Sequence, residues 1–255
     1  MKISIIQTDI AWNNPDENIS RSRDLAQRAL AEGGELLVFP EMFTTGFSMP
    51  TGDVAREGAS HGLGFLSSLA REHNVHTLGS LPEEDPSGKM FNTAWLFSPD
   101  GSSASYRKMH LFSYGDETSR YSAGHAPTVA SIGDIRTALF ICYDLRFGTP
   151  FTTLAPRTDL FLIVANWPSS RREHWLTLLR ARAIENQAYV IGVNRVGEGG
   201  GLHYSGDSVA YAPDGSELGR LSDRPATLTV EVQRDVVTKW RETFPALRDR
   251  RPDLY

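Results

Sequence analysis

Cys142 is the only cysteine in 255 residues, and Ile141-Cys142-Tyr143-Asp144 sets it directly after an apolar run and before a polar turn, where nucleophiles sit. A lone cysteine is also commonly an inert small hydrophobe in a core, and residue type alone does not choose between the two. Glu41 follows the apolar run 36–39 and Pro40, while Lys108 closes a strand-like run in Tyr106-Arg107-Lys108-Met109-His110. A carboxylate, an ammonium and a thiol are a sufficient set for hydrolysing an amide or a nitrile: a general base, an oxyanion donor and a covalent nucleophile. Distance along the chain does not bring them together, and taken singly Glu41 and Lys108 read equally well as surface charges.

Other chemistries have weaker support. His73 and His76 form an HxxH pair with no second pair, and Glu173-His174 lacks the second histidine of HExxH, so no metal is expected. One cysteine permits no disulfide within the chain and no multi-cysteine zinc or iron–sulfur site. Gly199-Gly200-Gly201 leads into Leu202 and His203 instead of a lysine and a hydroxyl residue, so it reads as a flexible turn and not a phosphate loop. No cofactor is expected. Pairing of Cys142 with a histidine downstream, His174, stays open at this point.

The elements that must position these groups follow from periodicity. Residues 2–8 read as a strand, after which Asn14 and Pro15 look like an N-cap and first helical position. Ile19, Leu25, Ala26, Ala29 and Leu30 share one stripe of a 3.6-residue period, and Gly33-Gly34 ends that helix. The short apolar run 36–39 is a buried strand, which places Glu41 at its carboxyl end, where open α/β sheets collect functional groups. The alternation continues with a helix around Leu63, Leu66, Leu69 and Ala70, and with strands around 75–81, 93–97 and 137–141. Strands at 160–165 and 189–194 bracket a helix whose face carries Trp175, Leu178, Leu179, Ala183 and Asn186. Residues 206–212 and 227–232 look like strands around a Pro213-Asp214-Gly215 turn, a hairpin-like finish. No linker, repeat or low-complexity segment interrupts the pattern, and one domain over 1–255 is expected. The tail from Trp240 onward mixes arginines and aspartates; it reads as solvated, or as docked through Phe244, Leu247 and Leu254 on a neighbouring surface.

Composition narrows the field further. Hydrophobic residues make up 40% and charged residues 22%, ordinary globular usage that excludes a disordered or collagenous chain. Lys and Arg number 26 against 31 Asp and Glu, a net charge of −5 that offers no basic footprint for nucleic acid. The N-terminal apolar run meets Gln7 and Asp9 too soon for a signal peptide, and the runs 138–143 and 160–165 fall far short of the ~20 residues of a membrane helix. A cytoplasmic protein with no membrane or nucleic-acid partner is expected.

Three segments, Phe39-Pro40-Glu41-Met42-Phe43, Tyr106-Arg107-Lys108-Met109-His110-Leu111-Phe112 and Ile141-Cys142-Tyr143-Asp144-Leu145-Arg146-Phe147, can be read together. In order and separation they resemble the glutamate, lysine and cysteine motifs of the nitrilase superfamily, the carbon-nitrogen hydrolases. Asn166-Trp167-Pro168, residues 181–187 and Gly206-Asp207-Ser208 extend the resemblance over essentially the whole chain. Tyr143-Asp144 stands where true nitrilases usually carry Trp-Glu, which favours an amide over a nitrile. The run from Asn166 to Arg171 with His174-Trp175, and Asn194-Arg195-Val196-Gly197, look most like the bacterial omega-amidase branch. Members of that branch hydrolyse the terminal amide of 2-oxoglutaramate or 2-oxosuccinamate. Gly148, where relatives commonly have proline, and Gly199 to Gly201, where they have a more Asp-containing loop, depart from the pattern.

The resemblance implies an α/β fold of four layers, an α-β-β-α sandwich, pairing through its outer helices into a homodimer. It implies Glu41 as base, Lys108 and the Tyr143 backbone N–H as oxyanion donors, and Cys142 as the nucleophile that carries a thioester. Glu117 matches the second glutamate that members place beside the triad. Asp144 and Arg146 are expected as a structural pair, and Lys108 is expected to favour the thiolate. A glutamate serving both half-reactions must be buried. Arg171 is the candidate for the substrate's far carboxylate, with Phe43 and Trp167 as cleft walls. The alternatives are another superfamily amidase, acting on a carbamoyl amine or peptide-like amide, and a non-enzymatic small-acid binder or thiol redox sensor.

Overall fold

Pairing of the apolar runs gives two six-stranded sheets in the computed structural model, which describes residues 1–251. In the first, β1 (Lys2–Gln7), β2 (Leu36–Val38) and β3 (His76–Glu84) are parallel neighbours. β4 (Met90–Phe97) and β5 (Ser103–Arg107) extend this sheet antiparallel on one side, and β14 (Ala226–Glu231) closes the other edge against β1. The second sheet runs β13 (Glu217–Arg220), β12 (Val209–Tyr211), β9 (Tyr189–Asn194), β8 (Leu160–Ala165), β7 (Ile135–Ile141) and β6 (Thr128–Ile132), with β7, β8 and β9 parallel. A separate two-stranded ribbon, β10 (Val196–Gly199) and β11 (Leu202–Ser205), turns at Gly200 and Gly201, both in the left-handed region that glycine adopts without strain.

The two-residue alternation of strands sorts side chains between layers. Leu36 and Val38 join Ile3 and Ile5 in the core between the sheets, where Leu139, Leu160 and Leu162 also lie, while Phe140 and Phe161 face outward against Phe151. Leu37 and Ile6 point the other way, packing with Leu25, Ala29, Leu66 and Leu69 of α1 (Pro15–Ala31) and α2 (Gly52–His73). The short helices α3 (Glu117–Arg120) and α4 (Gly148–Leu154) precede α5 (Arg172–Asn186), which covers the second sheet through Trp175, Leu179 and Ala183. The result is the expected four-layer α-β-β-α sandwich, with α6 (Arg234–Thr243) following β14. Among the described residues no helix is long and apolar enough to cross a membrane.

Local signals explain several boundaries. Asn14 Oδ1 accepts the Glu17 N–H at 3.2 Å to cap α1, Pro15 opens the helix, and Gly33, with φ +79°, follows its end. α2 begins at Gly52, well before the apolar stripe at 63–70, because its early buried face uses small residues that hydropathy does not register. Gly62 is one: a Cβ there would lie 2.3 Å from Leu81 Cδ2, so only glycine lets the helix sit this close to β3.

The C-terminal third differs from expectation. The Pro213-Asp214-Gly215 turn joins β12 to β13, and β14 crosses to pair with β1 in the other sheet. β13 is an exposed edge strand without an apolar run, which is why the pattern passed it over. The described part of the tail packs on its own chain: Leu247 rests against the core, while Arg250 donates to the Thr152 carbonyl at 2.6 Å and the Glu185 carbonyl at 3.2 Å. Phe244 remains exposed, and Leu254 lies outside the described residues.

Candidate active site

Strand ends deliver Glu41, Lys108 and Cys142 to one place. Glu41 lies three residues past β2, Lys108 directly follows β5, and Cys142 directly follows β7. Glu41, Lys108 and Glu117 are 0% exposed, and Cys142 is 9% exposed, its thiol at the floor of a cleft. The Lys108 ammonium donates to Glu41 Oε1 at 3.0 Å and to Glu117 Oε2 and Oε1 at 2.9 and 3.1 Å. One cation is therefore clamped between two carboxylates, an arrangement that burial makes rigid because neither partner can be exchanged for water.

Backbone and amide donors complete the shell. Glu41 Oε2 accepts the Asn166 N–H at 2.8 Å, and Asn92 Nδ2 donates to Glu41 Oε1 at 2.7 Å and to Glu117 Oε1 at 3.3 Å. The Asn92 amide is itself oriented, because its Oδ1 accepts from Ser80 Oγ at 2.9 Å while Ser80 Oγ accepts the Met42 N–H at 2.9 Å. Glu117 Oε2 also accepts the Phe112 N–H at 2.7 Å. Asn92 was missed by sequence reasoning; its only signal is a polar residue breaking the apolar alternation of β4. Asn166, met only as part of a motif, lies directly after β8 with its carbonyl oxygen 3.9 Å from Cys142 Sγ.

Cys142 itself has φ +47°, a left-handed conformation that costs a non-glycine residue of order 1–3 kcal/mol and is held here by its neighbours. Asp144 is the main anchor. It accepts from the Ile141 N–H at 3.0 Å, from Tyr106 Oη at 2.7 Å and from the His110 N–H at 2.9 Å, tying the turn at Cys142 to the segment that carries Lys108. The expected Asp144–Arg146 pair is not formed. Arg146 instead lies 4.8 Å over the Trp167 ring and 3.2 Å from His174 Nδ1 at the cleft. His174 is exposed and spent on this contact, which removes it as a partner for the thiol.

Lys108 does favour the thiolate, as expected, but it is outweighed. Burial first, then the Glu41 charge, push the Cys142 thiol well above its ordinary range, and the opposing pull of Lys108 does not prevail. The resting group is a thiol chiefly because it is buried, and Lys108, shared by two carboxylates, does not offset that. Burial alone would lower the Lys108 pKa, yet Glu117 and then Glu41 outweigh it and hold the ammonium above its usual range. Glu117 is raised by burial and by Glu41, against the pull of Lys108.

Above the thiol the cleft encloses about 40 Å³ of open space between Phe47, Phe112, Tyr143, Trp167, Arg171 and Tyr204. Trp167 and Arg171 thus stand where sequence placed them, but Phe43 does not. Its ring is fully buried with Phe39 and Phe65 under the helices, because it falls on the face of the 39–43 turn that continues that core, and Phe47 lines the cleft instead. The guanidinium of Arg171 lies 5.5 Å over the Phe112 ring with no carboxylate partner among the described residues. Its neighbour Arg172 is engaged by Asp207 through two 2.8 Å bonds, which settles which of the two arginines is available. A thiol and a free guanidinium in one cleft, with a buried carboxylate and ammonium beside the thiol, can together attack and hold a small anionic acyl compound.

Comparison with known proteins places this geometry in context. A family model described as carbon-nitrogen hydrolase matches residues 2–242. The chain is 37% identical over 253 residues to omega-amidase YafV of Escherichia coli K12, covering 98% of this chain and 96% of that protein. It is 30% identical to the 2-oxoglutaramate amidase of Bacillus subtilis, covering 99% and 98%. Among solved structures, a CN-hydrolase superfamily protein from Xanthomonas campestris with an arsenic adduct in its active site superposes with a TM-score of 0.89 at 32% identity, covering 98% of this chain and 97% of that one. An amidase from Nesterenkonia sp. AN1, with acrylamide added at its active-site cysteine, gives 0.88 at 29% identity, covering 100% and 98%.

Proposed function

The chain belongs to the carbon-nitrogen hydrolase family, and from that premise we propose that it is an omega-amidase. As a member it is a hydrolase acting on non-peptide amides. Its substrate is a small 2-oxo dicarboxylic monoamide, 2-oxoglutaramate or 2-oxosuccinamate, cleaved to the acid and ammonia. The observation that carries this substrate class is Arg171, an unpaired guanidinium on the wall of a narrow cleft that has the thiol at its floor.

The chemistry runs through named groups. Glu41 takes the Cys142 proton as sulfur attacks the amide carbon, so the buried cluster gains no net charge as the nucleophile forms. The carbonyl oxygen becomes an oxyanion held by Lys108 and the Tyr143 backbone N–H, donors of a kind whose loss costs ~3–4 kcal/mol. Lys108 has three N–H groups; one serves Glu41 and one is shared by the two oxygens of Glu117, which leaves the third for the oxyanion. Collapse breaks the C–N bond, protonated Glu41 gives its proton to the departing nitrogen, and ammonia leaves a thioester on Cys142. Glu41 then deprotonates the water that attacks the thioester, and that proton returns to sulfur. Glu117 positions Lys108 throughout, and Trp167 walls the cleft.

The same reading makes the chain a single carbon-nitrogen hydrolase domain, cytoplasmic, and a homodimer joined through its outer helices, where Ile184 of α5 and Val236 of α6 are exposed. Ammonia release from 2-oxoglutaramate, 2-oxosuccinamate, glutamine, asparagine, a carbamoyl amine and a simple nitrile tests the assignment. Fast release confined to the 2-oxo amides is expected. Turnover of the carbamoyl amine alone would move the chain to another branch, and no turnover with a readily alkylated thiol would favour the redox-sensor alternative.

A further inference from the structure

Tyr204 is a buried residue of β11 whose side chain reaches the cleft, and the mechanism above gives it no task. Its ring is fixed from behind: the Arg195 guanidinium lies 4.5 Å from the ring centroid. Arg195 is in turn held by the Val196 and Glu198 carbonyls at 3.0 and 2.8 Å and by Asp9 at 3.3 Å. Across the ribbon, Tyr204 sits opposite Gly197, where a Cβ would meet Asp9 at 2.1 Å, so the backbone behind the ring is equally constrained. A phenylalanine would satisfy all of these contacts.

The hydroxyl is what remains unexplained. It has no hydrogen-bond partner among the described residues, and it is not one of the polar atoms sealed inside the protein; it opens on the cleft that holds Cys142 and Arg171. None of the contacts that hold the ring uses this hydroxyl, so the packing of the ribbon does not account for it. Burial pushes its pKa up to about 12, so it is a neutral donor at any working pH. A neutral donor suits a neutral acceptor, as a guanidinium suits a carboxylate.

We propose that the Tyr204 hydroxyl donates a hydrogen bond to the 2-oxo oxygen of the substrate while Arg171 holds the adjacent carboxylate, making Tyr204 the residue that distinguishes a 2-oxo acid amide from its unsubstituted counterpart. This rests on the omega-amidase assignment and goes one step past it. Sites built to hydrogen-bond a substrate group reject the analogue that lacks it, because the site group is left unpaired.

The test compares 2-oxoglutaramate with glutaramate, the same chain without the oxo group, in wild type and Tyr204→Phe. Wild type is expected to prefer 2-oxoglutaramate. The variant is expected to lose on the order of 10- to 100-fold in kcat/KM on it and to hydrolyse glutaramate as wild type does. An equal fall on both substrates would assign Tyr204 a structural role and overturn the proposal, as would no change on either. Wild type that hydrolyses glutaramate but not 2-oxoglutaramate would instead overturn the substrate class, and with it this role for Tyr204.

Discussion

Cys142 is buried beside two carboxylates and one ammonium, and burial first, then the Glu41 charge, keep it a thiol against the pull of Lys108. The sign is testable. An acid whose folded value is raised keeps its proton beyond the pH at which a free thiol, near 9.0, would lose it, so alkylation by iodoacetamide should climb only above that pH. Glu41→Gln removes one of the two anions, and the midpoint of the alkylation profile should move to lower pH even as turnover is lost. A midpoint that stays put or moves up would mean that Glu41 does not act on the thiol. At this scale the sequence was readable where chemistry coincides with a strand end, as at Glu41, Lys108 and Cys142. Asn92 was not readable, because its task depends on Ser80 and on two carboxylates from other segments. Phe43 and Phe47 were not separable either, since only the path of the 39–47 turn decides which ring meets the core and which the cleft.

Elements were legible in proportion to their burial. β8 and β9 match the apolar runs 160–165 and 189–194 because both faces of those strands are covered, which leaves a continuous hydrophobic signature. Edge strand β13 and the ribbon β10–β11 carry no such run, and their partners lie across turns that sequence does not fix. The last helix shows how polar contacts finish the packing. Arg241 of α6 donates to the carbonyls of Thr158 at 2.8 Å, Asn186 at 3.2 Å and Gln187 at 2.9 Å, capping the end of α5 from outside. Arg241→Ala leaves those carbonyls without that partner and should cost about 1–3 kcal/mol, read as a fall in Tm of roughly 2–4 °C per kcal/mol. Activity should stay within about twofold of wild type, as the site is built at the other ends of the strands. An unchanged Tm would show that the cap contributes nothing; a collapse in activity at an unchanged fold would show that α6 reaches the site.

The whole molecule assembles its site from both sheets, and that division limits what a linear reading can reach. Glu41, Asn92 and Lys108 stand on or beside strands of the first sheet, Cys142 and Asn166 follow strands of the second, and Glu117 sits between the sheets in sequence. Residues so far apart in sequence meet only because the inner faces of the two sheets pack together. Periodicity could supply the strands, but their meeting came from the motif resemblance, and the cleft contacts of Arg146 and Tyr204 came from neither. The family places an amidase here; the central claim is that Cys142 is its nucleophile. The most direct test is ammonia release from 2-oxoglutaramate by wild type and by Cys142→Ala, with circular dichroism to verify that the variant is folded. The folded variant is expected to lose at least about a thousandfold. Release within about tenfold of wild type would contradict the claim.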